Sequence, residues 1–381
     1  MNYLTRLAAV GLMAANLSAC GWFSSEVEIE PAPLVKFEAE KDVDVIWRTS
    51  VGSLGEKFNQ LTMGITTERI YTSSVSGNVY ALDRASGDVV WSVELDVPVA
   101  GGVGVGPNQI AVTTEQGMLI VLNNEDGSEI WRKQLQAEAL SPAQMNEQLL
   151  VSQLQNGSLV AFDVNTGEQK WTYDTQIPAL TLRGTSAPIV ALDATLAAFA
   201  NGKLVAVDNR NGGLLWERLI AAADGKSELE RIIDIDGQPI LANGVVYVVS
   251  YQGKLVAVSV QDAQVLWSKD ASSYRQLAAG FGNIYVSEDN SFIQAYDQRT
   301  SASVWRQPAL EYRETSAPAV IGNTVVVGDF DGYLHFMSQI DGRFVARYQV
   351  DGSGIRSDMK VVDDTLYVLT NAGRLAAIKL Q

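Results

Sequence analysis

The residues able to do nucleophilic, acid–base or metal chemistry are few, and they are badly placed for it. The chain holds one histidine, His335, and one cysteine, Cys20. A single Cys excludes an internal disulfide and a Cys-rich metal site, and a single His excludes His-pair metal motifs. Only His335 is left for a Ser-His-Asp triad. It falls in the alternating run Tyr333-Leu334-His335-Phe336-Met337, the period-two pattern of a half-buried strand, and reads there as a structural histidine. Asp289-Asn290 and Asp329-Phe330-Asp331-Gly332 gather side-chain oxygens without the ligand spacing of a calcium loop. Gly101-Gly102-Val103-Gly104-Val105-Gly106 is followed by no helix pattern, so it is not a phosphate loop. No catalytic constellation, metal site or cofactor site is expected.

Cys20 does have a chemistry. Arg6 supplies a positive start, Leu7 to Ala15 is apolar but too short to span a bilayer, and Leu17-Ser18-Ala19-Cys20 resembles the bacterial lipobox. Residues 1–19 are expected to be a lipoprotein signal peptide, with Cys20 the lipidated residue that anchors the chain without spanning the membrane. Gly21 follows the cysteine instead of the Asp that signals inner-membrane retention in enteric lipoproteins, which favours the outer membrane. Residues 20–44 carry Glu26, Glu28, Glu30, Glu38, Glu40, Asp42 and Asp44 with Pro31 and Pro33, and are expected to form a solvated, extended tether. Trp22 and Phe23 read equally well as headgroup anchors and as ordinary linker residues.

The remaining chain must form the elements that position anything else. Its 381 residues are 47% apolar and 19% charged, a globular balance, and the net charge of −16 argues against binding a nucleic-acid backbone. A length prior of two or three domains yields to an internal repeat. Trp47, Trp91, Trp131, Trp171, Trp216, Trp267 and Trp305 recur regularly, and the last six follow Gly77, Gly117, Gly157, Gly202, Gly253 and Ser291 by 14 residues. Further copies begin at Gly332, with Ala346 in the Trp place, and at Gly373, which reaches the C-terminus first. The period is about 42 residues. In the unit Pro142–Trp171, a strand at Leu149-Leu150-Val151 is followed by alternating Ser158 to Asp163, then by the turn Asp163-Val164-Asn165-Thr166-Gly167 and an outer strand ending at Trp171. The eighth copy lacks its outer strand, and Val45-Ile46-Trp47 lacks a copy before it. Joining them closes a ring without free edges. The expected fold is all-β: residues 45–381 form an eight-bladed β-propeller of four-stranded blades, the N-terminal strand completing the last blade.

The repeat Gly-x-(Leu/Val)-x-Ala-x-Asp-x-x-(Thr/Ser)-Gly-x-x-x-Trp resembles that of quinoprotein-type propellers. The resemblance implies that the seven indoles dock each blade onto the next, where burying a large aromatic is worth most. Some quinoproteins are dehydrogenases holding a quinone and Ca²⁺ in the central funnel. This chain lacks the adjacent Cys pair of many of them and their long insertions. WD40 repeats fit less well, since no terminal Trp-Asp pair recurs.

The repeats differ in length at one kind of connection. The intervals 142→157, 188→202, 239→253 and 318→332 are 15, 14, 14 and 14, whereas 131→142, 171→188, 216→239 and 305→318 are 11, 17, 23 and 13. All added length enters the link from an outer strand to the next blade, and equivalent links share one rim of a propeller. Insertions on one rim mark a binding face. The first long link contains Leu180-Thr181-Leu182-Arg183-Gly184 and the second Ile232-Ile233-Asp234-Ile235-Asp236. Two readings stay open on the residues alone. Either the leucines and Arg183 meet a partner, or they tuck under the rim and Arg183 pairs with Asp234 or Asp236. Arg313-Glu314-Thr315-Ser316-Ala317-Pro318 echoes Arg183 to Pro188, so part of the pattern belongs to the repeat.

Lipobox, acidic tether, eight repeats and these two loops together resemble the BamB family, propeller lipoproteins of the outer-membrane β-barrel assembly machinery. Asp341-Gly342-Arg343-Phe344-Val345-Ala346 fits the family as well. The resemblance implies a non-enzymatic scaffold, lipid-anchored in the outer membrane and facing the periplasm. It implies binding to the POTRA domains of BamA through Leu180, Leu182, Arg183, Asp234 and Asp236. Unfolded outer-membrane protein precursors are further candidate partners; no cofactor is implied. The competing readings are a periplasmic quinoprotein-type dehydrogenase and a glycan-binding propeller, the latter expecting a funnel-face aromatic cluster that the sequence does not show.

Overall fold

A computed structural model describes residues 30–55, 61–182, 184–222 and 226–381. Every sheet has four antiparallel strands, and there are eight such sheets among the described residues. Blade 1 runs through Gly64–Ile65, Arg69–Ser73, Asn78–Asp83 and Val89–Glu94 from inside to outside, and blades 2 to 7 repeat this order. Blade 8 is built from Lys360–Val362, Thr365–Leu369 and Arg374–Leu380, with Val43–Ser50 as its outer strand. The closing register runs from Val43 opposite Leu380 to Ser50 opposite Arg374. The ring is an eight-bladed β-propeller closed by its N-terminal strand, as the repeat arithmetic expects. The one helical element among the described residues is a single turn, Leu229–Arg231.

The repeat is explained by what faces each indole. Trp91, Trp171, Trp216, Trp267, Trp305 and Trp47 lie opposite Ala81, Ala161, Ala206, Ala257, Ala295 and Ala377 on the neighbouring strand, and Trp131 lies opposite Val121. A small residue there leaves room for the ring to reach the next blade. The indole N–H then donates to a carbonyl in the following blade's outer turn: Trp47 to Arg84 at 3.1 Å, Trp91 to Asn124 at 3.1 Å, Trp131 to Val164 at 3.0 Å, Trp171 to Asn209 at 2.7 Å, Trp267 to Gln298 at 2.8 Å and Trp305 to Gln339 at 2.9 Å. Five rings also lie flat on the turn glycine of that blade. A Cβ on Gly87 would stand 2.4 Å from Trp47, and at φ +76° it would be strained as well. In blades 1, 3, 4 and 6 an aspartate opens the outer turn and caps it: Asp163 Oδ1 accepts from the backbone of Asn165 and Thr166 at 3.1 and 3.0 Å, and Asp83, Asp208 and Asp297 act likewise.

Blade 7 departs from this scheme by a volume exchange. Ala346 occupies the Trp position and lies opposite Phe336, which stands where the other blades carry alanine or valine. An indole there would have no turn to dock on, because blade 8 has no continuous connection between Leu380 and Val43. The N-terminal segment takes that place. Glu40 and Lys41 donate backbone N–H groups to Val345 O at 2.8 and 3.1 Å. Phe37 packs on Phe344 with 5.5 Å between ring centroids, and Arg343 grips the Glu40 carboxylate with two bonds of 2.8 and 2.9 Å. The tether expected over residues 20–44 is therefore docked from Ala32 onward, where the N–H donates to Glu311 O at 2.9 Å, and Val43 and Asp44 already belong to the closing strand. The physical reason is that the ring's own closure leaves a seam without its indole, and these residues cover it. Residues 1–19 and Cys20 lie outside the described residues.

Candidate docking site

The two long links leave neighbouring blades on one rim: residues 175–188 join blade 3 to blade 4, and residues 220–239 join blade 4 to blade 5. Their backbones are held together by the second link's acidic residues. Asp234 is fully buried, and its Oδ2 accepts the backbone N–H of Leu182. Its own carbonyl accepts the N–H of Tyr251 at 2.8 Å, while Ile232, Ile233 and Ile235 are buried around it. Those isoleucines fix an acid inside the rim. Burial pushes the Asp234 carboxyl up to about 7, with the Leu182 N–H pulling the other way. Its Oδ1 has no hydrogen-bond partner among the described residues.

Asp236 is half-buried and lies flat on Gly184, where a Cβ would stand 2.5 Å from the carboxyl carbon. Only glycine lets the two links approach that closely. Burial, and then the neighbouring Asp234, push the Asp236 carboxyl well above its usual range. The structure thus brings together Leu182 with Asp234 and Gly184 with Asp236. Leu180 is 43% exposed at the crest of the first link, and Leu182 is half-buried beneath it. Arg183 lies outside the described residues.

A polar layer beneath the links was not singled out as functional by sequence reasoning. Thr185 Oγ1 donates to Ser141 Oγ at 3.1 Å, Ser141 Oγ donates to Ser186 O at 3.2 Å, and Ser186 Oγ donates to Gly237 O at 3.1 Å. These bonds stitch the links of blades 2, 3 and 4 to one another. The signal available was the recurring Thr-Ser-Ala-Pro before the inner strand. Its second copy shows the repeat's other use of the pattern. There Arg313 is buried and spends its donors on Asp329 at 2.8 Å, Asp331 at 2.7 Å and Ala32 O at 3.1 Å.

Inward of the paired links lies the central funnel, a cavity of about 370 Å³ whose wall includes Asp236, Arg275, Arg356, Asp358 and Lys360. Among the described residues no group of three or more His, Cys, Asp or Glu is placed to hold a metal ion. His335 is fully buried in blade 7, with Nε2 2.9 Å from Asp329 Oδ2.

A family described as "Outer membrane protein assembly factor BamB" matches residues 75–307 and 289–381. The protein of that name from Pseudomonas aeruginosa is 52% identical over 372 residues, covering 97% of this chain and 98% of its own length. The crystal structure of BamB from Moraxella catarrhalis superposes with a TM-score of 0.83 at 23% identity, over 89% of this chain and 100% of that one. The quinohemoprotein alcohol dehydrogenase of Comamonas testosteroni shares the fold alone, with a TM-score of 0.70 at 13% identity over 89% of this chain and 76% of that one.

Proposed function

Because the chain belongs to the BamB family of outer membrane protein assembly factors, we propose that it is a non-enzymatic scaffold of that machinery, docking on the POTRA domains of BamA through the paired links. The lipid on Cys20 holds it to the outer membrane with the propeller in the periplasm. It aids insertion of β-barrel precursors by holding the POTRA domains in a set orientation. The observation that carries the docking reading is the fastening of one exposed loop to its neighbour by a buried acid. Leu182 N–H meets Asp234 inside the rim, and this leaves Leu180 projecting from a stiffened crest.

The five residues of the site then divide by what they touch. Leu180 and Arg183 meet the partner, the leucine by burial and the arginine by a charge-assisted bond. Leu182, Asp234 and Asp236 act through them by fixing the loop. A preformed crest loses less conformational entropy on docking than a mobile loop would. Photo-crosslinking tests this in whole envelopes. A photoreactive residue at position 180 is expected to capture a POTRA domain. The same residue at Leu192, 77% exposed on the opposite rim, is expected to capture none. Equal capture at both positions, or none at 180, would remove the assignment.

A further inference from the structure

The only histidine sits beneath the docked N-terminal segment, and two arginines connect them. Arg347 Nε donates to His335 Nδ1 at 3.1 Å, while its Nη1 donates to Val35 O at 2.8 Å. The same guanidinium covers the Phe37 ring at 4.9 Å and Phe344 at 5.3 Å. On the other side of the imidazole, Asp329 Oδ2 accepts a hydrogen bond from Nε2 at 2.9 Å and also binds Arg313, whose Nη1 donates to Ala32 O at 3.1 Å. Each arginine thus touches the His335–Asp329 pair at one end and a carbonyl of the strap at the other.

This cluster is peculiar to blade 7. At the repeat position of His335 the other blades carry Tyr80, Ile120, Val160, Val205, Val256, Gln294 and Ala376, and at that of Asp329 only blade 6 has an acid, Glu288. Blade 7 is also the blade whose outer strand is covered by residues 30–42. The bonding fixes the tautomer. Nδ1 accepts from Arg347, so the ring is neutral with its proton on Nε2. A second proton has one place to go, Nδ1, where it would point at the Arg347 N–H.

We propose that His335 is an acid-sensitive catch for the N-terminal strap: a proton on Nδ1 turns Arg347 away, which releases Val35 O and the face of Phe37 and frees residues 30–42 from blade 7. The charged and titratable groups facing the imidazole cluster are Asp329, Arg313, Arg347, Asp331 and Tyr333, with the Arg343–Glu40 pair at the outer end of the strap. Burial, opposed by Asp329 and reinforced by Arg347 and Arg313, holds the His335 pKa below its usual 6.5. The neutral form is therefore the one that suits the folded strap, and its stability is complete above pH 6.5 and falls as pH drops through the depressed value. Glu40 stays ionised across that window because Arg343 holds its carboxyl below the usual range. Release would lengthen the free chain before Val43 by about 13 residues, roughly 45 Å at full extension.

Hydrogen–deuterium exchange on the full-length protein tests the catch. Amide protection over residues 30–42 is compared at pH 7.5 and 5.5 after correction for intrinsic exchange, in wild type and in His335→Gln, whose amide can donate to Asp329 and accept from Arg347 but cannot take a proton. Wild type is expected to lose protection on acidification, while His335→Gln holds it. Arg347→Gln is expected to leave the strap open at both pH values with the propeller still melting cooperatively. Equal protection of the wild-type strap at both pH values would overturn the proposal. So would an unchanged pH response in His335→Gln, or a strap still protected in Arg347→Gln.

Discussion

Replacing Trp131 with alanine measures what one inter-blade indole is worth. The ring is 8% exposed, faces Phe162 of the next blade at 6.0 Å between centroids, and donates its N–H to Val164 O at 3.0 Å. Truncating a buried aromatic to alanine costs about 3–5 kcal/mol through lost transfer energy and the cavity left behind. The Val164 carbonyl loses its donor as well, a further ~1 kcal/mol. At ~2.1 cal/mol/K per residue, about 340 propeller residues unfold with an entropy near 0.7 kcal/mol/K, so a loss of about 5 kcal/mol lowers the melting temperature by about 7 °C. Calorimetry on wild type, Trp131→Ala and Trp216→Ala reads the difference directly. Trp216 is less deeply buried, and the following blade's outer turn has Ala263 at φ 56° in the glycine place, so its truncation is expected to cost less. A fall of under 1 °C for Trp131→Ala, or an equal fall for both, would refute the view that buried, bonded indoles carry the blade-to-blade energy.

Restoring the repeat in blade 7 is expected to harm it. Ala346→Trp places an indole opposite the fully buried Phe336, and overpacking of that kind costs about 1–3 kcal/mol, read as a lower melting temperature. Asp234→Asn is expected to flatten a pH dependence. With its folded value raised to about 7, the native state holds a proton that the unfolded chain releases near pH 4, so this acid makes stability decline as pH rises from about 4 to 7. The asparagine variant, which still accepts from Leu182, should melt above wild type at pH 8 and close to it at pH 4; identical melting profiles would contradict this.

The indole and glycine spacings could be read as blades because a propeller repeats one packing problem seven or eight times, and each solution leaves the same residues at the same offsets. Closure could be read too, since an outer strand without a copy and a copy without an outer strand have one economical pairing. Loop length marked the rim. What could not be read depends on contacts between distant parts of the chain. Phe37 and Glu40 look like tether residues until the strand ending at Gln349 stands beside them, about 300 positions away. The exchange of Trp for Ala346 made sense only with the register that puts Phe336 opposite. Asp234 could have been recognised as buried, because isoleucines flank it on both sides; a carboxylate in an apolar run is either paired or pinned. Arg313 shows the opposite lesson: the same Arg-x-Thr-Ser-Ala-Pro pattern places one arginine inside the fold, so the pattern alone does not assign Arg183 to a surface.

The affinity of the purified chain for isolated BamA POTRA domains tests most directly whether one rim grips a protein partner. Leu180→Asp is titrated beside Leu192→Asp, which alters an even more exposed leucine on the far rim. If Leu180 is a central contact worth about 2 kcal/mol, its charge substitution weakens binding about 30-fold or more while Leu192→Asp stays within 2-fold of wild type. Equal affinities for the two variants, with both still folded, would contradict the claim.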